Sequence, residues 1–245
     1  MEAPSKSQID SPPLRAEARR LRAGVLIPAF NPGPELAELV AELDALLGPE
    51  HTLVVDDGSE SGDFEVLEST GHQVLHIPHT GKGGALRAGF AWGAERGWEW
   101  AITMDADGQH APADLPGFLG AIAEGRGDIL LGNRMDATRN MPFLRLWTNR
   151  ITSWIITRIA GQPIPDAQSG YRAIRLSILE HFPLVTANFD LESEILFRAS
   201  WAGFRVVPIP IQTIYRGNEE SHISKRRDTL RFVRLILQAR RWRRD

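Results

Sequence analysis

Apolar and polar positions fall in short alternating blocks through the first half of the chain. Val25–Ile27 is an apolar run of strand length, and from Glu35 to Leu47 the residues Leu36, Leu39, Val40, Leu43 and Leu47 recur at helical spacing. Thr52–Val55 and Val74–Ile77 predict two further strands, Gly84–Arg96 a helix, and Trp100–Met104 a fourth strand. Leu115–Glu124 predicts a helix and Ile129–Leu131 a fifth strand. Strands that alternate with helices, and are apolar throughout, imply an α/β fold whose mostly parallel sheet is covered on both faces. Such sheets bind ligands at the carboxyl ends of their strands.

The second half is less regular. Phe143–Ala160 predicts a helix on which Trp147, Ile151, Trp154 and Ile155 share a face, which either packs in the core, the favoured reading, or anchors at a membrane. Leu191–Trp201 predicts another helix. Val206–Ile211 reads as a strand at a sheet edge, because Pro208 and Pro210 cannot donate to a ladder. Thr229–Arg244 predicts a last helix. The reading divides the chain into a polar tail (1–22), one domain (23–224) with halves meeting near Gly132 (23–132 and 133–224), and a basic amphipathic C-terminal helix (225–245).

Composition narrows the chemistry. The chain has 245 residues, 42% hydrophobic and 24% charged, as in a soluble globular protein. It contains no cysteine, so disulfides and thiolate metal sites are excluded, and a metal would be held by oxygen or imidazole. That points to Mg2+ or Mn2+ rather than structural zinc. No apolar stretch approaches the roughly 18–20 residues that span a bilayer, and the first 22 residues contain no signal-peptide-like run. These features predict a cytoplasmic protein. The net charge is −3, yet Lys225–Asp245 carries nine basic residues against Asp228 and Asp245, giving +7 and leaving −10 on the preceding 224. Arg231, Arg234, Gln238 and Arg241 would share one helical face, with Leu230, Val233, Ile236 and Leu237 largely on another. A helix of that kind either lies on an anionic membrane, placing the protein peripherally on the inner face, or docks on its own domain. No base-stacking module accompanies the basic tail, so nucleic acid is not an expected partner.

Polar and glycine-rich groups follow the early strands: Pro28-Ala29-Phe30-Asn31, Asp56-Asp57-Gly58-Ser59, Gly81-Lys82-Gly83-Gly84 and Asp105-Ala106-Asp107-Gly108-Gln109-His110. Asp105 and Asp107, two apart at a strand end, project to the same side. Carboxylates so placed repel unless a cation lies between them, and a hard divalent ion would leave positions for phosphate oxygens. Gln109 offers a further oxygen. The alternative is an ordinary aspartate turn. Asp56-Asp57-Gly58 is likewise either a turn or a carboxylate acceptor for a nucleoside. The Gly81–Gly84 segment is either a plain loop-to-helix junction or an anion-binding helix start, and it lacks P-loop spacing.

Taken in order, VLIPAFN (Val25–Asn31), VVDDGS (Val54–Ser59), GKGGALRAGF (Gly81–Phe90), MDADGQH (Met104–His110), LGNR (Leu131–Arg134), DAQSGYR (Asp166–Arg172) and FDLESEIL (Phe189–Leu196) resemble the family 2 glycosyltransferases of the GT-A fold. The likeness is greatest to the dolichol-phosphate mannose synthase-like, polyprenyl-phosphate branch. It implies that Pro28, Phe30, Asn31, Asp56 and Asp57 form the nucleoside pocket, with Lys82 near the nucleotide. Asp105, Ala106 and Asp107 would meet the donor diphosphate, and Asp105, Asp107 and Gln109 the metal. Arg134 would face a phosphate. Ser169, Gly170, Tyr171, Arg172 and Glu192 would line the acceptor side. The sequence departs from the family at Pro32, where glutamate is usual, and at Ser61-Gly62-Asp63, where Asp-Gly-Thr is usual.

The resemblance further implies an inverting transfer from a UDP- or GDP-sugar. A phosphate acceptor, already ionised, needs no general base. A hydroxyl acceptor needs one, and Asp166 is then the first candidate and Glu194 the second. The expected acceptor is a polyprenyl phosphate. The competing readings are a transferase acting on a glycan hydroxyl, a nucleotidyltransferase making sugar nucleotides, and a non-catalytic nucleotide-sugar binder.

Overall fold

The computed structural model describes residues 14–60, 64–135, 143–186, 190–212, 214, 236–239 and 242. Seven strands are described: β1 (Ala23–Ala29), β2 (Thr52–Asp56), β3 (Gln73–His76), β4 (Trp100–Thr103), β5 (Ile129–Asn133), β6 (Arg172–Arg175) and β7 (Val206–Pro210). They form one sheet in the order β3-β2-β1-β4-β6-β5-β7, and β6 alone runs opposite to the others. The helices are α1 (Leu14–Arg20), α2 (Glu35–Leu47), α3 (Phe64–Ser69), α4 (Lys82–Glu95), α5 (Leu115–Ala123), α6 (Phe143–Ala160) and α7 (Asp190–Trp201).

Every residue of β1, β2, β4 and β5 is buried, as the apolar runs require of strands covered on both sides. Alternation divides their side chains between two cores. Val25, Ile27, Val54, Ile102 and Leu130 face α2 and α5 through Leu39, Leu43, Phe118 and Leu119. Leu26, Leu53, Val55, Ala101 and Leu131 face α4, α6 and α7 through Leu86, Phe90, Ile156, Leu191 and Ile195. Helix α4 lies so close to β1 that a methyl group on Gly89 would overlap Leu26.

Several elements differ from expectation. Leu14–Arg20 is helical rather than tail; Ala18 is buried, and Arg15 Nη2 meets Glu50 Oε1 at 2.7 Å. Helix α3 and strand β6 were not predicted. β6 reads Arg-Ala-Ile-Arg, too short and too basic to register as an apolar strand, yet it pairs with both β4 and β5. Strand β7 holds the expected edge position. The face expected to bury on α6 is the wrong one. Trp147, Ile151 and Trp154 are 52%, 52% and 60% exposed, and Ile155 is only partly buried, while Asn149, Ser153, Ile156 and Ala160 turn inward. The inward face is chosen by what it can bond: Ser153 Oγ accepts from Ala167 N at 3.0 Å, and Thr157 Oγ1 from Ile164 N at 3.0 Å.

Of the predicted C-terminal helix, residues 236–239 and 242 are described and helical; the rest lies outside the described residues. Ala239 is buried in the core shared with α6 and α7, and Trp242 lies beneath the Arg198 guanidinium of α7, 5.1 Å from it. This part docks on its own domain. Among the described residues no helix is long and apolar enough to cross a membrane.

Candidate active site

Parallel register places the ends of β1, β2 and β4 along one edge, with Ala29 opposite Asp56 and Leu26 opposite Thr103. Because β6 is reversed, its first residue Arg172 lies opposite Thr103, so the segment leading into it, residues 166–171, arrives at the same edge. β5, parallel to β4, delivers Asn133 and Arg134 there as well. The edge thus gathers loops from both halves of the sequence.

Asp105 is its centre. Lys82 Nζ, from the first residue of α4, lies 2.6 Å from Asp105 Oδ1 and 3.1 Å from Glu192 Oε2. His110 Nε2 approaches Asp105 Oδ2 at 3.3 Å. Burial pushes the Asp105 carboxyl up, but the Lys82 charge and His110 outweigh it and hold it far below the usual carboxylate range. Lys82, also opposed by burial, is pushed up by Asp105 and Glu192 and stays charged. The Asp105 carboxylate rests against Gly170, whose absent Cβ would overlap it, and Thr103 Oγ1 fixes that loop by donating to Gly170 O at 2.7 Å. Asp107 is exposed beyond Ala106, with Oδ1 accepting from Gln109 N at 3.0 Å. Partial burial of its carboxyl and the negative charge of Asp105 push its pKa up.

On the β2 side, Asp56 Oδ1 accepts from Ser59 N at 2.9 Å and Oδ2 meets His76 Nδ1 at 2.8 Å. Asp57 is buried and organises the loop before α4, accepting from Thr80 N at 2.7 Å and Gly81 N at 2.8 Å. Asn31 ties the β1 and β2 loops together, donating its N–H to Ser59 Oγ and accepting from Glu60 N, both at 2.9 Å. Pro28 is buried within β1. Phe30 is half exposed and stands against the His79 ring, centroids 4.3 Å apart, an open aromatic surface beside the two aspartates.

The acceptor-side residues are used differently from expectation. Asp166 is fully buried; Oδ2 accepts from Arg134 Nε at 2.7 Å and from Arg134 N at 3.1 Å, and Oδ1 from Arg134 Nη2 at 2.8 Å. A carboxylate so occupied holds the β5 loop to the β6 loop instead of standing as a free base, and Arg134 is largely buried with it. Glu194 lies inside the core, accepting from Val185 N, Thr186 N, Thr186 Oγ1 and Arg198 Nε at 2.7–3.1 Å. It is an anchor for the 185–186 turn. Glu192 is the member of that acidic helix that faces the site. Tyr171 points into the core, stacked on Phe118 at 4.4 Å. Arg172 is buried and stitches the loop, donating to Ser169 O, Ala167 O and Glu192 O at 2.7–2.9 Å. Ser169, also buried, contributes that carbonyl.

His110, His79 and Thr103 contact the site and had no role assigned from sequence. His110 closes the Met104–His110 motif, and that position was its one signal; nothing local to His79 or Thr103 marks them.

Asp105 and Asp107 fit a hard divalent cation that completes its shell elsewhere. Both are oxygen donors at an accessible rim, and among the described residues no cluster of three or more acidic or imidazole groups forms an all-protein cage. Two carboxylates with phosphate oxygens and water are a common arrangement for such ions.

The sheet thus sets carboxylates and a lysine-bearing helix start at the carboxyl ends of its strands, the edge at which α/β sheets bind ligands. The family model for glycosyl transferase family 2 matches residues 24–182, so the chain belongs to that family and is a glycosyltransferase. It is 34% identical over 203 residues to polyprenol monophosphomannose synthase of Mycolicibacterium smegmatis, covering 78% of this chain and 76% of the relative. It is 32% identical over 216 residues to undecaprenyl-phosphate mannosyltransferase of Micrococcus luteus, covering 83% and 88%. In fold it is similar to glucosyl-3-phosphoglycerate synthase of Mycobacterium tuberculosis, solved with Mn2+ and UDP-glucose. That likeness has a TM-score of 0.66 at 16% identity and covers 99% of this chain and 84% of the other. The architecture is the GT-A fold that the sequence resemblance implied.

Proposed function

We propose that this enzyme moves a sugar, with inversion, from a UDP- or GDP-sugar to a polyprenyl phosphate. One observation carries the reading: Asp105, paired with Lys82, and Asp107 stand at the rim, while Asp166 and Glu194 are buried and saturated with donors. Leaving-group chemistry is provided for, and neither candidate base is free to activate a hydroxyl. A phosphate acceptor is ionised at neutral pH and attacks without one. The two relatives, both named for transfer to a polyprenyl-type phosphate, support that acceptor and favour mannose as the sugar.

In this reading the open Phe30–His79 pair stacks the base, with Asp56 beside it. Lys82, at the start of α4, turns its charge to the donor diphosphate, where the first N–H groups of the helix also favour an anion. Asp105 and Asp107 would hold Mg2+ or Mn2+, which when bound neutralises charge on the departing diphosphate. Arg134, fixed by Asp166, brings a fixed positive charge to the β5 end of the edge. Lys82 and His110 keep Asp105 ionised and oriented, and Glu192 holds Lys82 in place. The nine basic residues of the C-terminal stretch, all of them outside the described residues, would attract the chain to an anionic membrane. Asp105→Ala should lower transfer from the matching sugar nucleotide to undecaprenyl phosphate by about 100-fold or more while the protein stays folded. Undiminished transfer by that variant refutes the assignment.

A further inference from the structure

We propose that the outward face of α6 is a docking surface for an anionic lipid bilayer; this rests on the reading above that the acceptor is a lipid phosphate. Trp147, Ile151 and Trp154, spaced four and three apart, form one exposed stripe. With Arg150 they line a shallow hollow of about 410 Å³. The other exposed large apolar side chains among the described residues lie on different elements. Water-facing tryptophans are unusual in a helix that has buried places for Ile156 and Ala160.

The charge beside the stripe identifies the occupant. Helix α6 contains Arg145, Arg150 and Arg158 and no acidic residue. Arg150 and Arg158 are exposed, and the Arg158 guanidinium stands 5.4 Å from the Trp154 ring centre. Tryptophan settles at the boundary between acyl chain and headgroup, and neighbouring arginines reach lipid phosphates while their stems stay in apolar surroundings. A second copy of the chain fits less well. A two-fold contact through this stripe would bring arginines toward arginines, with no carboxylate on the helix to separate them.

The opposite face of α6 gives the docking a purpose. Ser153 holds Ala167, next to Asp166, and Thr157 holds Ile164, so the helix carries the segment that runs on to Gly170 and Asp105. A bilayer seated on the outer face would lie one helix away from the loop at which the phosphate must react.

The test uses the full chain and the double variant Trp147→Ala/Trp154→Ala, with circular dichroism confirming its fold. Flotation on vesicles of phosphatidylglycerol and phosphatidylcholine should recover the native chain, with about tenfold or greater loss for the variant. Fluorescence quenching by acyl-brominated lipid should fall in parallel. Transfer to a short, water-soluble isoprenyl phosphate without vesicles should be equal in both proteins, while transfer to long-chain acceptor in vesicles should drop in the variant. Equal flotation of native and variant chains overturns the proposal, as does a native chain that ignores vesicles but self-associates through the tryptophans. If neither protein uses any polyprenyl phosphate, the acceptor assignment fails, and flotation alone still decides the docking.

Discussion

At Asp105 one oxygen meets Lys82 and the other His110, and the carboxylate lies directly on Gly170. A methyl group at residue 170 would displace a rim side chain whose two oxygens are already held by Lys82 and His110. Gly170→Ala should therefore cut transfer by about 100-fold, since misplacement of a reacting group by about 1 Å has that effect, with little loss of thermal stability. Steady-state assay beside a melting curve checks both halves. His76 offers a second prediction. The hydrogen bond to Asp56, opposed by burial and helped by Glu68, raises the His76 pKa above its ordinary value of 6.5. A raised histidine adds stability that is full below pH 6.5 and is lost as the pH rises through the higher, folded-state value. Asp56, whose pKa is lowered by Ser59 and His76 against burial, keeps its contribution above its ordinary 3.8 and loses it as the pH falls through its folded value. His76→Gln should lower the urea midpoint at about pH 6 and leave it nearly unchanged at about pH 9. An equal decrease at both would show that ionisation is not the source.

Helix α4 and strand β1 meet without space between Gly89 and Leu26. Alanine would improve helix propensity by about 1 kcal/mol, while overpacking costs about 1–3 kcal/mol. Gly89→Ala should thus destabilise by roughly 1 kcal/mol in urea titration; a gain would mean that Leu26 moves aside freely. Elements such as α2 and α6 were legible end to end, because their apolar spacing or length is unbroken. α1 and β6 were not: α1 has Ala18 as its single buried residue, and β6 is stabilised by pairing on both sides rather than by its own composition. Periodicity found the Trp147–Trp154 stripe but not its direction, since α6 is apolar on two sides and hydrogen bonds from Ser153 and Thr157 select the buried one. The acidic and basic residues of the site were nearly all visible in the motifs. Which of them are consumed internally was not, because Asp166 meets Arg134 across 32 positions and nothing local announces the pair.

Across the molecule, six parallel strands and one reversed strand deliver loops from residues 29 to 171 to one edge, and α6 carries an apolar, basic stripe on its outer side. The sheet edge is where nucleotide, cation and acceptor phosphate have to meet, so cooperation between the first two is its most direct signature. Calorimetry of the full chain with UDP- and GDP-sugars, with and without Mn2+, measures that coupling. One of the two donors should bind about tenfold or more tightly with the ion present, and Asp107→Ala should erase the difference. Equal affinity with and without Mn2+, unchanged by that substitution, would contradict the role assigned to the carboxylate pair.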